Sequence, residues 1–204
     1  MRALSVSDLM NKKYNLLPFE NEWYDAFLQP ERSGVWFVWG NSGNGKTSFL
    51  LQLMKYLTHF GNVLFNSLEE ADSHTLRCGM EREGMRGVNG LTIVRENPLE
   101  LDGRLRKKKS ADIVVIDSFQ YFGLTYKGYK EFKEANRGKL VIFTSHANGK
   151  NPSGRAAMSV MFDATMKIWV EGYRAISKGR YIGDKGYYTI WEEEAEIYWG
   201  AILR

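Results

Sequence analysis

Short hydrophobic runs separated by polar segments predict five β-strands along the chain. Two of them, Val35–Trp39 and Asp112–Asp117, are continuous stretches of β-branched or aromatic residues, which is typical of strands buried on both faces of a sheet. The three other predicted strands are shorter or more interrupted and cover Asn62–Ser67, Leu91–Val94 and Leu140–Ser145.

The segments between these strands carry hydrophobic residues at helical spacing. The first such segment places them on one helical face, at Phe49, Leu50, Leu53 and Leu57. The predicted helices cover Gly45–Phe60, Ser73–Glu83 and Tyr129–Asn136. Because strands alternate with helices, the sequence predicts an α/β fold with an open, mainly parallel sheet and helices on both faces.

Near the C terminus the pattern changes to the alternation of an antiparallel hairpin. A turn at residues 183–186 is followed by Tyr187, Tyr188 and Trp191 at alternating positions. The sequence therefore predicts a C-terminal antiparallel hairpin in which these aromatic residues have structural roles.

Length and composition favour one domain. The chain has 204 residues, enough for a single α/β domain, which we divide into an N-terminal extension (1–33) and a core (34–204). Its net charge of +4 weakly favours an anionic partner. With one cysteine, no secretory signal at the N terminus and no window long enough to cross a membrane, we expect a cytoplasmic protein without a membrane partner.

The strongest chemical signal is the sequence Gly-Asn-Ser-Gly-Asn-Gly-Lys-Thr at Gly40–Thr47, which matches the phosphate-binding pattern G-x-x-x-x-G-K-T/S. It lies between a predicted strand and a predicted helix, where backbone N–H groups and the helix N terminus favour phosphate. Lys46 would reach the β- and γ-phosphates, and the hydroxyl of Thr47 would bind Mg²⁺. The nucleotide-binding candidates are Gly40, Asn41, Ser42, Gly43, Asn44, Gly45, Lys46, Thr47 and Ser48. The motif predicts an ATP site with Mg²⁺.

Acidic residues follow two other predicted strands. Asp117 ends a buried strand, where a carboxylate can hold Mg²⁺ through water; the alternative is a cap for the next turn. Glu69 and Glu70 follow the second strand, where one of them could accept a proton from the attacking water or simply belong to an acidic turn. Gly40, Glu69, Asp117 and Ser145 all fall at the carboxyl ends of strands, where such sheets bind ligands.

In this order the motifs resemble the RecA-type ATPase core, a family that includes RecA, the RadA proteins and the hexameric DnaB helicases. The segment 67–70, Ser-Leu-Glu-Glu, is similar to Ser-Leu-Glu-Met of DnaB and Gly-Glu-Glu-Ser of RadA, which implies that Glu69 is the catalytic base. Ser145-His146 resembles Ser-Gln of DnaB and Gly-His of RadA, which implies that His146 senses the γ-phosphate. The resemblance covers roughly Val35 to Ile190 and implies a P-loop NTPase with a RecA-like sheet.

A basic segment near the end of the core extends the resemblance. Arg174–Tyr181 is similar to the Lys-x-Arg segment of RadA and DnaB, whose Lys and Arg reach the neighbouring subunit's γ-phosphate. The resemblance implies that Lys178 and Arg180 act in trans and that the chain assembles with itself as a ring or filament. The alternative is a solvent-exposed basic turn.

The segment His146–Arg155 is polar, basic and rich in Gly and Asn, which predicts a mobile surface loop. In RecA-type proteins the equivalent loop contacts single-stranded DNA, so Lys150 and Arg155 are candidate phosphate contacts; an ordinary surface loop is the alternative. A denser basic run at 104–109 is expected to be a solvated face away from the nucleotide. Three further arginines could line a channel: Arg77, Arg82 and Arg86.

We therefore expect an Mg²⁺-dependent ATPase that hydrolyses ATP at subunit interfaces and couples it to single-stranded DNA in recombination, repair or replication. By analogy it is most similar to short phage RecA-like ATPases of single-strand annealing. The alternatives are a DnaB-like DNA motor, a non-catalytic protein switched by ATP, and a relative of the clock-type ATPases. Glu69 distinguishes a hydrolase from the ATP-switched protein, because a switch could dispense with this carboxylate.

Overall fold

The computed structural model describes residues 3–202 and shows one large mixed sheet. Within those residues the strands are β1 (Gly34–Gly40), β2 (Val63–Ser67), β3 (Leu91–Val94), β4 (Ile113–Asp117), β5 (Leu140–Asn148), β6 (Asn151–Pro152), β7 (Met166–Glu171), β8 (Arg174–Ser177) and β9 (Tyr187–Thr189). The strand order is β3-β2-β4-β5-β1-β7-β8-β9, with β6 paired to β5. All neighbours from β3 to β7 are parallel, and β8 and β9 add an antiparallel edge.

Helices cover both faces of the sheet. In the described residues they are α1 (Val6–Met10), α2 (Asn21–Phe27), α3 (Lys46–Leu57), α4 (His74–Arg82), α5 (Pro98–Leu105), α6 (Phe119–Phe122), α7 (Tyr126–Ala135), α8 (Arg155–Asp163) and α9 (Glu192–Ile202). Because side chains alternate along a strand, β1 sends Trp36 to the core beneath α2 and α3 and Phe37 to the core beneath α7 and α8. The sheet is therefore the middle of three layers.

All five predicted strands are present, and the predicted fold class is confirmed. The three predicted helices correspond to α3, α4 and α7, and the C-terminal hairpin is formed by β8 and β9. Helix α3 begins one residue later than predicted, because Gly45 has a left-handed backbone (φ 90°) and caps the helix.

One element prediction is wrong. Residues 146–155, predicted as a loop, largely form a short antiparallel hairpin in which Ala147 pairs with Pro152 and Asn148 with Asn151. Strand β5 continues past the sheet into this hairpin, and α8 begins at Arg155. The backbone polar groups of the segment are thus satisfied by strand pairing.

The N-terminal segment packs into the core that lies beneath α3. Leu17, Phe19 and Phe27 are fully buried there, and the Phe19 ring contacts the ring of Trp36 on β1. Within residues 3–202, no helix is long and apolar enough to cross a membrane.

Candidate nucleotide-binding site

The loop between β1 and α3 has the backbone geometry of a phosphate cradle. Gly43 and Gly45 have φ values of 78° and 90°, which residues with a Cβ rarely adopt. A Cβ on Gly40 would lie 2.4 Å from the backbone oxygen of Val170 on β7. The motif needs glycine at position 40 because the neighbouring strand lies directly against it.

Asn44 ties this loop to the turn between β7 and β8. Its Oδ1 accepts a hydrogen bond from the backbone N–H of Gly172 at 2.8 Å, and its backbone oxygen accepts from Tyr173 at 3.3 Å. Its Nδ2 donates to the backbone oxygen of Ser42 at 3.1 Å. Three bonds from one residue hold the loop in a single shape before any ligand arrives.

A cavity of about 410 Å³ opens over the loop. It is lined by residues 41–43 and 45–48 of the loop and by side chains from the ends of β2, β4 and β5. The lining brings together side chains from four separate parts of the sequence: Lys46 and Thr47, Glu69, Asp117, and His146. The sequence-predicted nucleotide, metal and γ-phosphate residues therefore meet at one place, which lies at the carboxyl edge of the parallel strands.

Asp117 is a buried carboxylate with one internal partner. The hydroxyl of Thr144, one strand over on β5, donates to Asp117 Oδ1. Burial raises the pKa of Asp117 above its ordinary value and nearby Glu69 adds to this, whereas the Thr144 hydrogen bond and Lys46 oppose it. Thr144 thus favours the charged form of the Asp117 carboxylate. No sequence motif identifies Thr144 as part of the site.

The two glutamates after β2 differ in their contacts. Glu70 Oε2 accepts hydrogen bonds from Thr75 Oγ1 (2.8 Å) and Ser73 Oγ (3.4 Å), both at the start of α4. Glu69 Oε2 lies 3.4 Å from His146 Nε2. Glu70 is therefore engaged by two hydroxyls at the start of α4, and Glu69 is the carboxylate that faces His146. This contact geometry favours Glu69 as the base.

The donors at this edge suit Mg²⁺. The hydroxyl of Thr47 and the carboxylate of Asp117 are oxygen ligands, which Mg²⁺ prefers. The buried hydroxyls of Ser67, which pairs with Asp117 across β2 and β4, and of Ser118 have no hydrogen-bond partner among the described residues. No group of three or more His, Cys, Asp or Glu side chains within residues 3–202 could hold a metal ion alone. Phosphates and water would complete the coordination, as is usual for Mg²⁺ with a nucleotide.

Two aromatic residues in the cavity were not expected there. The ring of Tyr173 lies over the loop, 3.0 Å from the position that a Cβ on Gly45 would occupy, and Trp191 meets Tyr173 edge to face with centroids 5.7 Å apart. Trp191 was predicted to be structural, but it is about half exposed and lines the cavity. The pair offers an apolar wall that suits a nucleobase.

Arg82 is a further cation at the site, and its Nη2 donates to Ser48 Oγ at 3.1 Å. Of the arginines that could line a channel, Arg77 and Arg86 instead pair with Glu81 on the surface. In the basic run at 104–109, Arg104 pairs with Glu96 and lies near the amino ends of β2 and β3, at the edge opposite the cavity.

The remaining predicted site residues lie outside the cavity. Lys178 and Arg180 follow β8 and are exposed, and Lys150 and Arg155 are exposed on the hairpin and at the start of α8. None of the four lines the nucleotide cavity of its own chain.

The strand order and the glycine-rich loop between β1 and α3 define a RecA-like P-loop fold. No protein-family model and no curated protein matches the chain. The flagellar accessory protein FlaH from Methanocaldococcus jannaschii is similar in structure, with a TM-score of 0.59 and 14% identity over 86% of this chain and 92% of that one. A KaiC-like protein from Pyrococcus horikoshii OT3 gives a TM-score of 0.55 and 21% identity over 81% and 94%. Both likenesses support the fold.

Proposed function

We propose that the chain binds ATP with Mg²⁺ and hydrolyses it. The observation that carries this proposal is the position of Glu69: its carboxylate lies beside His146, 3.4 Å from Nε2, in the cavity that Lys46 and Thr47 also line. A carboxylate at this position can accept a proton from an attacking water, which hydrolysis requires and binding alone does not.

The chain's own residues have distinct parts in this reaction. Backbone N–H groups of the loop and the Lys46 ammonium bind and orient the β- and γ-phosphates. The Glu69 carboxylate accepts a proton from the attacking water, and His146 contacts the γ-phosphate. Thr47 and Asp117 would hold Mg²⁺, which when bound neutralises charge on the phosphate oxygens. Tyr173 and Trp191 shield the nucleobase end of the bound nucleotide from water.

The test compares Glu69→Gln with its neighbour Glu70→Gln. Glu69→Gln keeps the shape and removes the proton acceptor, so ATP binding should persist while turnover falls by about a hundredfold or more. Glu70→Gln, at a carboxylate engaged by α4, should retain most of the activity. Wild-type turnover in Glu69→Gln would contradict the assignment, and ATP binding without turnover in the wild-type protein would favour the ATP-switched alternative.

We further propose that the active site is completed by a second copy of the chain. Lys178 and Arg180 are exposed and lie away from their own cavity, as residues that act in trans must. Arg180→Ala should bind ATP nearly normally but turn over slowly, since loss of an arginine finger typically costs about 10³–10⁵ in rate. Mixing Arg180→Ala with Glu69→Gln should restore activity at interfaces that pair the two intact residues. Full activity of a strict monomer, with no rescue on mixing, would mean that both residues belong to a basic surface turn and do not act in trans.

The proposed nucleic-acid partner is single-stranded DNA. His146 lines the nucleotide cavity, and Lys150 lies four residues further on at the tip of the β5–β6 hairpin. The hairpin also contacts the phosphate loop, because Asn41 Nδ2 donates to the backbone oxygen of Gly149 at 3.2 Å. One strand therefore connects an exposed cation to the γ-phosphate end of the site. The setting in recombination, repair or replication, and the likeness to phage annealing ATPases, are inferred from the motifs.

Oligonucleotide binding in the presence of an ATP analogue tests this partner. Affinity should fall steeply with salt, with a slope of about −0.7 for each phosphate neutralised, and should be weakened in the double variant Lys150→Ala/Arg155→Ala. Salt-independent binding, or none at all, would remove DNA from the proposal. ATP-driven translocation on DNA would instead favour the motor.

A further inference from the structure

A second cavity, of about 450 Å³, lies on the other side of the β7–β8 turn. We call it the tryptophan groove; it is bounded by the hairpin, α8, β7, β8 and α9. Its lining includes Trp39, Trp169, Trp199, Lys150, Lys167 and Lys178. None of the lining residues belongs to the nucleotide cavity.

The groove is positively charged. Lysines reach it from three separate elements: the hairpin, β7 and the end of β8. The single carboxylate among its described lining residues, Glu171, already accepts hydrogen bonds from Trp169 Nε1 at 3.0 Å and from Tyr198 at 3.4 Å. Even without Lys178, which the proposed assembly assigns to the neighbouring copy, Lys150 and Lys167 face one engaged anion, so the groove favours a polyanion.

Phe162 and Trp199 are the aromatic residues of the groove that a ligand can reach, because Trp39 and Trp169 are buried. The indole N–H of Trp39 donates to the backbone oxygen of Lys150 at 3.1 Å, and that of Trp199 donates to the backbone oxygen of Gly172 at 3.0 Å. Phe162, at the rim, is 67% exposed, and Lys167 Nζ lies 5.9 Å from its ring centroid. An exposed ring beside an ammonium offers a stacking face next to a phosphate contact.

We propose that the tryptophan groove binds single-stranded nucleic acid, with unpaired bases on Phe162 and Trp199 and phosphates on Lys150 and Lys167. Only a single strand exposes base faces to such rings, because a duplex buries them in its stack. This inference rests on the proposed DNA function and extends it from the hairpin to a separate groove.

The groove and the nucleotide cavity are connected through one residue, Gly172. The N–H of Gly172 donates to Asn44 of the phosphate loop, and its carbonyl accepts from Trp199 of the groove. Residues of both sites are therefore hydrogen-bonded to the same residue.

The experiment measures anisotropy of a labelled oligothymidylate with two pairs of matched variants. Phe162→Ala should weaken binding about 5-fold or more, the loss of one stacked base, whereas Leu99→Ala, which truncates an 82% exposed residue on α5, should not. Lys167→Glu should weaken binding and lower the salt slope by about 0.7, whereas Lys108→Glu, with the same charge change next to α5, should not.

An abasic oligonucleotide of the same length separates stacking from charge. It should bind more weakly than oligothymidylate and should not respond to Phe162→Ala. Equal binding of the abasic strand, or of polyglutamate, would overturn the proposal in favour of a general polyanion or acidic-peptide surface. An oligoribonucleotide arm identifies whether RNA or DNA is preferred.

Two further outcomes keep this proposal distinct from the proposed function. Loss of DNA binding in Lys150→Ala/Arg155→Ala, with Phe162→Ala and Lys167→Glu unaffected, would place DNA on the hairpin alone and overturn the groove. Binding of a fluorescent ATP analogue, measured on every variant, should be unchanged. If it is intact while the wild-type protein binds no oligonucleotide, the groove proposal fails and the nucleotide site stands.

Discussion

Replacing Thr144 with valine should raise the Mg²⁺ concentration that nucleotide binding requires. Thr144 is buried, and its hydroxyl donates to Asp117, whose pKa burial raises. Valine keeps the shape and removes the donor. A hydrogen bond to a charged group contributes about 1.5–3 kcal/mol, which corresponds to about 10–150-fold in an equilibrium constant. Loss of a partner that orients a metal ligand typically costs 10–100-fold in metal affinity, so both estimates give one to two orders of magnitude.

The assay is an Mg²⁺ titration of the binding of a fluorescent ATP analogue, with Thr144→Ser as the control that keeps the hydroxyl. The Mg²⁺ concentration at half-saturation should rise about 10–100-fold in Thr144→Val and little in Thr144→Ser. The pKa of Asp117 rises further without its donor, so protons compete with Mg²⁺ more strongly and the deficit should grow as pH falls. Identical titrations for both variants at every pH would refute the role of Thr144.

Two further predictions concern the loop and the helix layer. Asn44→Ala leaves the N–H of Gly172 without its acceptor, so denaturant titration should show a free energy of unfolding lower by about 1–3 kcal/mol; an unchanged free energy would mean that the loop is held by other contacts. Burial alone would raise the pKa of Asp163, but Lys133 (2.7 Å) and Tyr129 (2.5 Å) donate to it and lower its pKa below the ordinary value. Asp163→Asn should therefore lower the free energy of unfolding by about 1 kcal/mol at neutral pH, a difference that shrinks as pH falls through the folded-state pKa; denaturant unfolding that shows a pH-independent difference would contradict this.

The central sheet was predictable because its signal is local. Buried parallel strands need continuous apolar runs, and residues 35–39 and 112–117 carry them whatever the rest of the chain does. The phosphate loop is also a local pattern, since its glycines are needed for backbone angles and close approach within eight residues. The α/β class, the site edge and the positions of Lys46, Thr47, Glu69 and Asp117 all follow from such signals.

The hairpin after β5 was missed although the sequence contains its turn. Asn148 and Asn151 pair across a two-residue loop, and Gly149, the first loop residue, takes a positive φ of 63°, which is the position where a tight type II′ hairpin turn favours glycine. The polar composition of the segment instead favours an irregular loop. Composition describes side chains, whereas the hairpin is held by backbone pairing.

Strand β7 was missed for a different reason. Its apolar run is interrupted by Lys167, and it pairs with β1, whose residue Trp36 lies opposite Met166 at a separation of 130 positions. Its importance for the site lies in the carbonyl of Val170 against Gly40. Backbone segments that are so far apart in sequence produce no local periodicity from which their contact could be predicted.

The turn between β7 and β8 shows most clearly why Tyr173 could not be assigned from the sequence. Gly172 and Tyr173 have φ values of 50° and 57° between the paired residues Glu171 and Arg174, as in the tight turns that match strand twist. This geometry lays the Tyr173 ring over Gly45. It also turns the backbone N–H of Gly172 to Asn44 in the loop and the backbone carbonyl of Gly172 to Trp199 in the groove. A Cβ on Gly172 would lie 2.2 Å from the ring of Tyr198, so this position of the turn needs glycine. If nucleotide and single-stranded nucleic acid affect each other's binding, this packed two-residue turn is a shorter connection between their sites than the hairpin, because it joins them through the backbone of one residue, Gly172.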